Sequence, residues 1–188
     1  TALRPRFERL ARRSDPVSRF TGLSVLGIYD FYLGHYEQTV RSHGEARSIL
    51  RSDEMSAFVE NYGYDGRLYC YMYELASLGY LGYLDRAAAL CDEMLALAES
   101  FQDPYVSCLA MCAVGSHLVE RGDAHEAIRL ADRLVPIALD QRHFLWSAYG
   151  QCMRGAAQID SGELDEGLAN LEQGQFQLQA MGMNASHL

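Results

Sequence analysis

The chain contains no lysine, so each of its 16 positive side chains is an arginine, as a GC-rich coding sequence would produce. Nothing after Arg154 is positive. Only four prolines occur, and Val and Ile are sparse beside Ala, Leu, Met, Glu, Gln and Arg, a balance that favours helix over strand. No apolar run approaches the ~18 residues of a membrane-spanning helix, and no targeting signal is present, so membrane contact is not expected. The five cysteines are odd in number and show no paired spacing; Cys108 and Cys112 fall on one helical face. Buried reduced thiols in a cytoplasmic protein account for all five. No phosphate-binding loop, dinucleotide-type glycine run, HExxH or CxxC occurs.

The charge that is present is uneven. The net value is −9, yet residues 1–19 hold six arginines against Glu8 and Asp15. The basic start reads as the exposed face of a helix, and the acidic remainder would repel a phosphate backbone, so no direct nucleic-acid binding is expected.

Internal periodicity carries the fold expectation. GYLDRA (82–87), GDAHEA (122–127) and GELDEG (162–167) share one pattern, and Gly82, Gly122 and Gly162 stand 40 residues apart. A weaker copy, GHYEQT, starts at Gly34; the extra eight residues before Gly82 fit a longer loop near SDEMSAFVENYGYDG (52–66). Each glycine ends one helix and supplies the left-handed cap conformation. Before it lies an apolar-periodic stretch, at roughly 17–33, 66–80, 104–121 and 144–160. After it, Ala87, Ala127 and Gly167 open a second helix whose inner positions recur in register: Cys91, Ala131 and Leu171; Met94, Leu134 and Gly174; Ala98, Ala138 and Leu178. Steps of four, three and four mark one helical face. Gly27, Gly115 and Gly155, each seven residues before a turn glycine, point to close helix crossings there, with Leu75 the exception.

The expected architecture is therefore all-α: an antiparallel helix-pair solenoid of about four repeats. One domain would span residues 1–188, with a preceding helix over 1–13 and repeats at roughly 17–52, 65–102, 104–142 and 144–181. Both ends read as cut from a larger polypeptide.

The order of helix glycine, turn glycine and Ala five residues later resembles the tetratricopeptide repeat, with a period longer than its usual 34 or so. NYGYDG (61–66), LGYLDRAAAL (81–90), Trp146 with RGAAQIDSGELDEGLANLEQG (154–174) and AMGMN (180–184) resemble the C-terminal helical-repeat region of bacterial multidomain signalling proteins. In those proteins an adenylate/guanylate cyclase domain or a DNA-binding winged helix is fused to a STAND-type ATPase, and the repeats come last. The chain departs from that pattern with YCYMYELASLGY (69–80), where a Trp-rich run is common, and with Leu84, where a turn proline is. The resemblance implies a cytoplasmic regulatory module, in signalling or transcription regulation, that biases an attached effector domain.

Candidate chemistry is thin. His35 with His43, and His117 with His125, are eight apart and straddle breaks, which is poor spacing for metal ligands. Glu120 with Asp160, or Asp132 with Asp140, could act as acid/base pairs. Acids at helix ends are ordinary, so no catalytic residue, metal or cofactor is expected. Ten of the twelve tyrosines lie between residues 29 and 83. In tetratricopeptide geometry the residues about two and 13 before each turn glycine face the concave wall. Those positions are Tyr32, Tyr80, Glu120 and Asp160, then Thr21, Tyr69, Leu109 and Tyr149. The groove would be aromatic at one end and acidic at the other, suited to a peptide or protein with apolar and basic side chains. The partner could equally be another domain of the same polypeptide. A homodimer that positions a fused cyclase or DNA-binding domain is the rival expectation, followed by small-molecule sensing or a hydrolase.

Overall fold

The structure is a computed structural model that describes residues 3–50 and 65–183. Most of the expected 52–66 loop, and residues 61–64 of NYGYDG, lie outside the described residues. All regular structure among the described residues is helical, in nine helices that pack against their sequence neighbours. The chain divides into two compact units, residues 1–90 and 91–188.

The first unit holds α1 (Arg4–Ala11), α2 (Pro16–Tyr32), α3 (Tyr36–Ile49) and α4 (Arg67–Tyr80); α5 (Leu84–Phe101) spans the boundary. Asp15 starts α2 by accepting the Ser18 N–H at 2.9 Å, and Pro16 follows where a missing N–H is harmless. Phe20 and Leu23 of α2, Ala46 and Leu50 at the end of α3, and Cys70 of α4 form the core, with Ala11, Val17 and Ile49 against it. Fully burying one large side chain such as Phe20 is worth roughly 1.5–3 kcal/mol.

The second unit holds α6 (Pro104–Glu120), α7 (Ala124–Asp140), α8 (Phe144–Asp160) and α9 (Leu164–Ala180). Each is 17 residues long. Asp103 caps α6 through the Tyr105 and Val106 N–H groups, with Pro104 next. The register read from the sequence recurs in burial: Ala127, Ala131, Leu134 and Ala138 of α7 are sequestered, as are Cys91, Met94 and Ala98 of α5. In α9 the same columns hold Gly167, Gly174 and Leu178, with Leu171 half-buried.

The turns explain the spacing. Gly34, Gly82, Gly122 and Gly162 have φ of +76°, +76°, +81° and +92°. At each, the glycine N–H and the one after it reach back to the last helical turn, as Gly122 to the Val119 carbonyl and Asp123 to the Leu118 carbonyl, both at 2.9 Å. Between these turns sit Gln102 and Arg142, left-handed without being glycine, at φ +51° and +57°. From Gly82 onward the half-repeat is thus 20 residues; the caps at 102 and 142 lack a glycine, and the next one has it again at Gly182, φ +76°.

The helix glycines resolve into two kinds. A Cβ on Gly155 would lie 2.6 Å from the Gly167 carbonyl, so α8 and α9 cross backbone to backbone. Gly27 and Gly115 instead make room for side chains, since a Cβ would lie 1.9 Å from His43 Cδ2 and 2.0 Å from Met153 Sδ respectively.

Candidate functional site

In the first unit the Gly34 turn folds α3 back on α2, so Phe31 and Tyr32 at the end of one meet Tyr36 at the start of the other. From α4, Tyr73 and Tyr80 project two turns apart along one face. The Phe31 ring is the hub, with centroids 5.6 Å from Tyr32, 5.7 Å from Tyr36, 5.1 Å from Tyr73 and 6.2 Å from Tyr80. Tyr36 packs on Tyr80 at 4.9 Å, and Tyr32 on Tyr73 at 6.1 Å. The Tyr32 and Tyr73 hydroxyls are 3.4 Å apart. Burial pushes the Tyr73 phenol up from its ordinary value, with the Tyr32 hydroxyl adding to the effect. The outer rings stay in solvent: Tyr32 is 68% exposed and Tyr80 54%. Tyr69 lies half-buried one turn before Tyr73, and Thr21 is half-buried on α2, its hydroxyl donating to the Val17 carbonyl at 2.8 Å.

A polar layer supports these rings. His43 is fully buried, with Nδ1 3.1 Å from the Cys70 carbonyl oxygen and Nε2 3.1 Å from that of Ser24. Its ring meets Tyr73 edge-on at 5.9 Å. Burial lowers its pKa, against the two carbonyls that favour the charged form; Arg47 lowers it further. Buried Glu74 accepts from Arg47 at 3.0 Å, and the Arg47 guanidinium lies 4.2 Å from the centre of the Tyr71 ring. Buried Asp30 accepts from Arg4 at 2.7 Å, with exposed His35 at 3.4 Å. His35 and His43 therefore serve separate networks.

In the second unit Tyr149 is half-buried against the Ala148–Cys152–Leu178 core, 6.1 Å from Trp146. Tyr105 extends this group, 5.6 Å from Trp146 and 5.5 Å from the His143 ring. Leu109 is buried in α6. Glu120 and Asp160 are exposed at the ends of α6 and α8. Asp160 lines a shallow cleft of 420 Å³ with Gly122, Asp123, Ala124, His125, Glu126 and Ser161, a lining that does not include Glu120. Two of its acids already pair: Asp123 with Arg121, and Glu126 with Arg129. A second cleft of 570 Å³ includes Asp103, Pro104, Ser107, Pro136 and Asp140. Buried His117 has no hydrogen-bond partner for either ring nitrogen. Among the described residues no group of three or more His, Cys, Asp or Glu is arranged to hold a metal ion, and no helix is long and apolar enough to cross a membrane.

The structure thus brings Tyr32 and Tyr80 into one aromatic surface and adds three members the groove rule missed: Phe31, Tyr36 and Tyr73. The seven-residue step from Tyr73 to Tyr80, and the aromatics flanking Gly34, were the available signals. No protein-family model matches the chain, and no curated protein matches it.

Proposed function

We propose that the chain is a non-catalytic protein- or peptide-binding module, and that the Phe31–Tyr32–Tyr36–Tyr73–Tyr80 surface is where the partner docks. The observation that carries this reading is the exposure of Tyr32 and Tyr80 on top of rings that already fix them in place. Aromatic side chains held by mutual packing lose little rotamer freedom on binding and offer large contact area with a polar tip. A peptide with apolar or cationic side chains suits the ring faces, and its polar groups suit the hydroxyl rim. The helix-pair repeat supports a tetratricopeptide-like scaffold for that surface. Its resemblance to the helical-repeat region of bacterial signalling proteins supports a regulatory role, in which docking biases an attached cyclase, ATPase or DNA-binding domain.

A selection of displayed random peptides on the wild-type chain alone, with the binders then measured on Tyr32→Ala/Tyr80→Ala, tests the reading. Peptides that bind the wild type are expected to lose at least about tenfold in affinity for the double variant, the loss of one hot-spot contact. Both rings are exposed, so folding stays intact. Binders indifferent to the double substitution would sink the proposal.

A further inference from the structure

Among the described residues, helix α9 and helix α1 each present an exposed face, and the two are opposite in charge. On α9, Leu164, Leu168, Glu172 and Phe176 stand four residues apart and form one ridge. The three apolar members are 55%, 43% and 72% exposed. Glu163, Asp165 and Glu166 flank the ridge, all exposed, and α9 contains no basic residue. On α1, Arg6 and Arg9 with the adjoining Arg12 and Arg13 are exposed beside Leu3, itself 58% exposed. Among the described residues Arg13 alone of these four pairs with a carboxylate, that of Asp15 at 3.3 Å. Most other arginines in the chain are paired, including Arg4, Arg19, Arg41, Arg47, Arg67 and Arg121. The imbalance runs through the whole chain. Residues 1–90 carry 11 arginines and 11 acids, whereas residues 91–188 carry five and 14, so the second half holds all of the net −9.

We infer that this chain self-associates head to tail, with the α9 ridge of one copy seated on the arginine face of α1 of a second copy. Arginine suits the contact because its aliphatic stem covers apolar surface while its guanidinium reaches a carboxylate. The stems of Arg6 and Arg9 cover Leu164, Leu168 and Phe176, and their heads pair with Glu172 and the acids at the start of α9. Leu3 adds to the apolar contact. Such an interface is heterologous: each copy gives a different surface, and the rotation between copies decides whether the assembly closes or extends. It uses neither the tyrosine surface nor the clefts, so it stands or falls apart from peptide docking.

Sedimentation velocity on the full chain, over a range of protein concentrations, tests it. Wild type is expected to associate, and to do so at least about tenfold more weakly when ionic strength rises from about 0.1 M to about 1 M, where the screening length drops from about 10 Å to about 3 Å. Leu168→Asp/Phe176→Asp disables one face and Arg6→Glu/Arg9→Glu the other; each variant alone is expected to be monomeric. Mixed one to one, they retain a single competent face each and form a pair, and nothing larger. All four positions are exposed, so circular dichroism and the melting temperature stay near wild type. Should the apolar double variant unfold, Glu172→Arg, which leaves the ridge intact, weakens association and Arg9→Glu in the second copy restores it. A wild type that is monomeric throughout, an Arg6→Glu/Arg9→Glu variant that associates like wild type, or a mixture that stays monomeric would each overturn the inference.

Discussion

His43 shows how much of the first unit rests on one side chain. A neutral imidazole has one N–H, yet both ring nitrogens face carbonyl oxygens, those of Ser24 and Cys70. Protonation would give both a donor, but burial outweighs that gain and lowers the pKa. The unfolded chain therefore binds a proton to this residue at higher pH than the folded one does. Its contribution to stability is complete above the unfolded value of about 6.5 and is lost as pH falls toward the lower folded value, by up to about 1.4 kcal/mol per pH unit. Buried His117, lowered for the same reason, adds to the slope. Urea unfolding at a series of pH values between about 7 and 5 is expected to show this decline, shallower in His43→Gln. A flat profile would mean that neither histidine is held neutral.

The cysteines make a second residue-level statement. All five are buried and free; burial pushes Cys70 and Cys112 up to about 12 and Cys91, Cys108 and Cys152 up to about 11. An aromatic disulfide reagent at neutral pH is expected to label none of them rapidly in the folded chain and all five in denaturant. The lack of paired spacing made their reduced, buried state legible beforehand. The role of His43 was not, because its partners are carbonyls from two other helices, which no side-chain pattern reports.

At the scale of elements, the sequence displayed the caps that use glycine and hid those that do not. The 40-residue spacing of Gly82, Gly122 and Gly162 placed the helix ends closely, whereas Gln102 and Arg142 adopt the same left-handed cap without the residue that would announce it. Glycine at Arg142 should relieve strain of about 1 kcal/mol, less the entropy it adds to the unfolded chain. Ala at Gly162, with φ +92°, should destabilise by about 1 kcal/mol or more. Thermal melts of Arg142→Gly and Gly162→Ala should thus move in opposite directions, up and down by a few degrees; a shared direction would contradict the capping account. Of Gly27, Gly115 and Gly155, all expected to mark close crossings, only Gly155 makes a backbone contact across helices. Its partner Gly167 sits on a different helix, and the side-chain recesses at Gly27 and Gly115 depend on His43 and Met153 filling them. Pro136 lies inside α7, where interior proline is normally disfavoured; its exposed position and the strong apolar face of that helix let packing override propensity.

For the molecule as a whole, helix content and neighbour-to-neighbour packing followed from composition and period, because a helix pair buries its apolar face only against the next helix. The division between Leu90 and Cys91 was not readable, since it falls within one continuous helix. Nor did the rule that chose groove positions by distance from a turn glycine treat the units alike. In the first it selected Tyr32 and Tyr80, which share one surface, with half-buried Thr21 and Tyr69; in the second it selected buried Leu109, half-buried Tyr149 and the exposed acids Glu120 and Asp160. Aromatic surfaces form where several rings from different helices converge, and that depends on packing around Phe31 more than on any fixed offset. The central claim, that this convergence makes the docking surface, is tested most directly by hydrogen exchange on the intact chain with and without a selected peptide. The account predicts new protection at the end of α2, the start of α3 and the last two turns of α4. Protection confined to residues 91–188, or none at all with a saturating peptide, would contradict it.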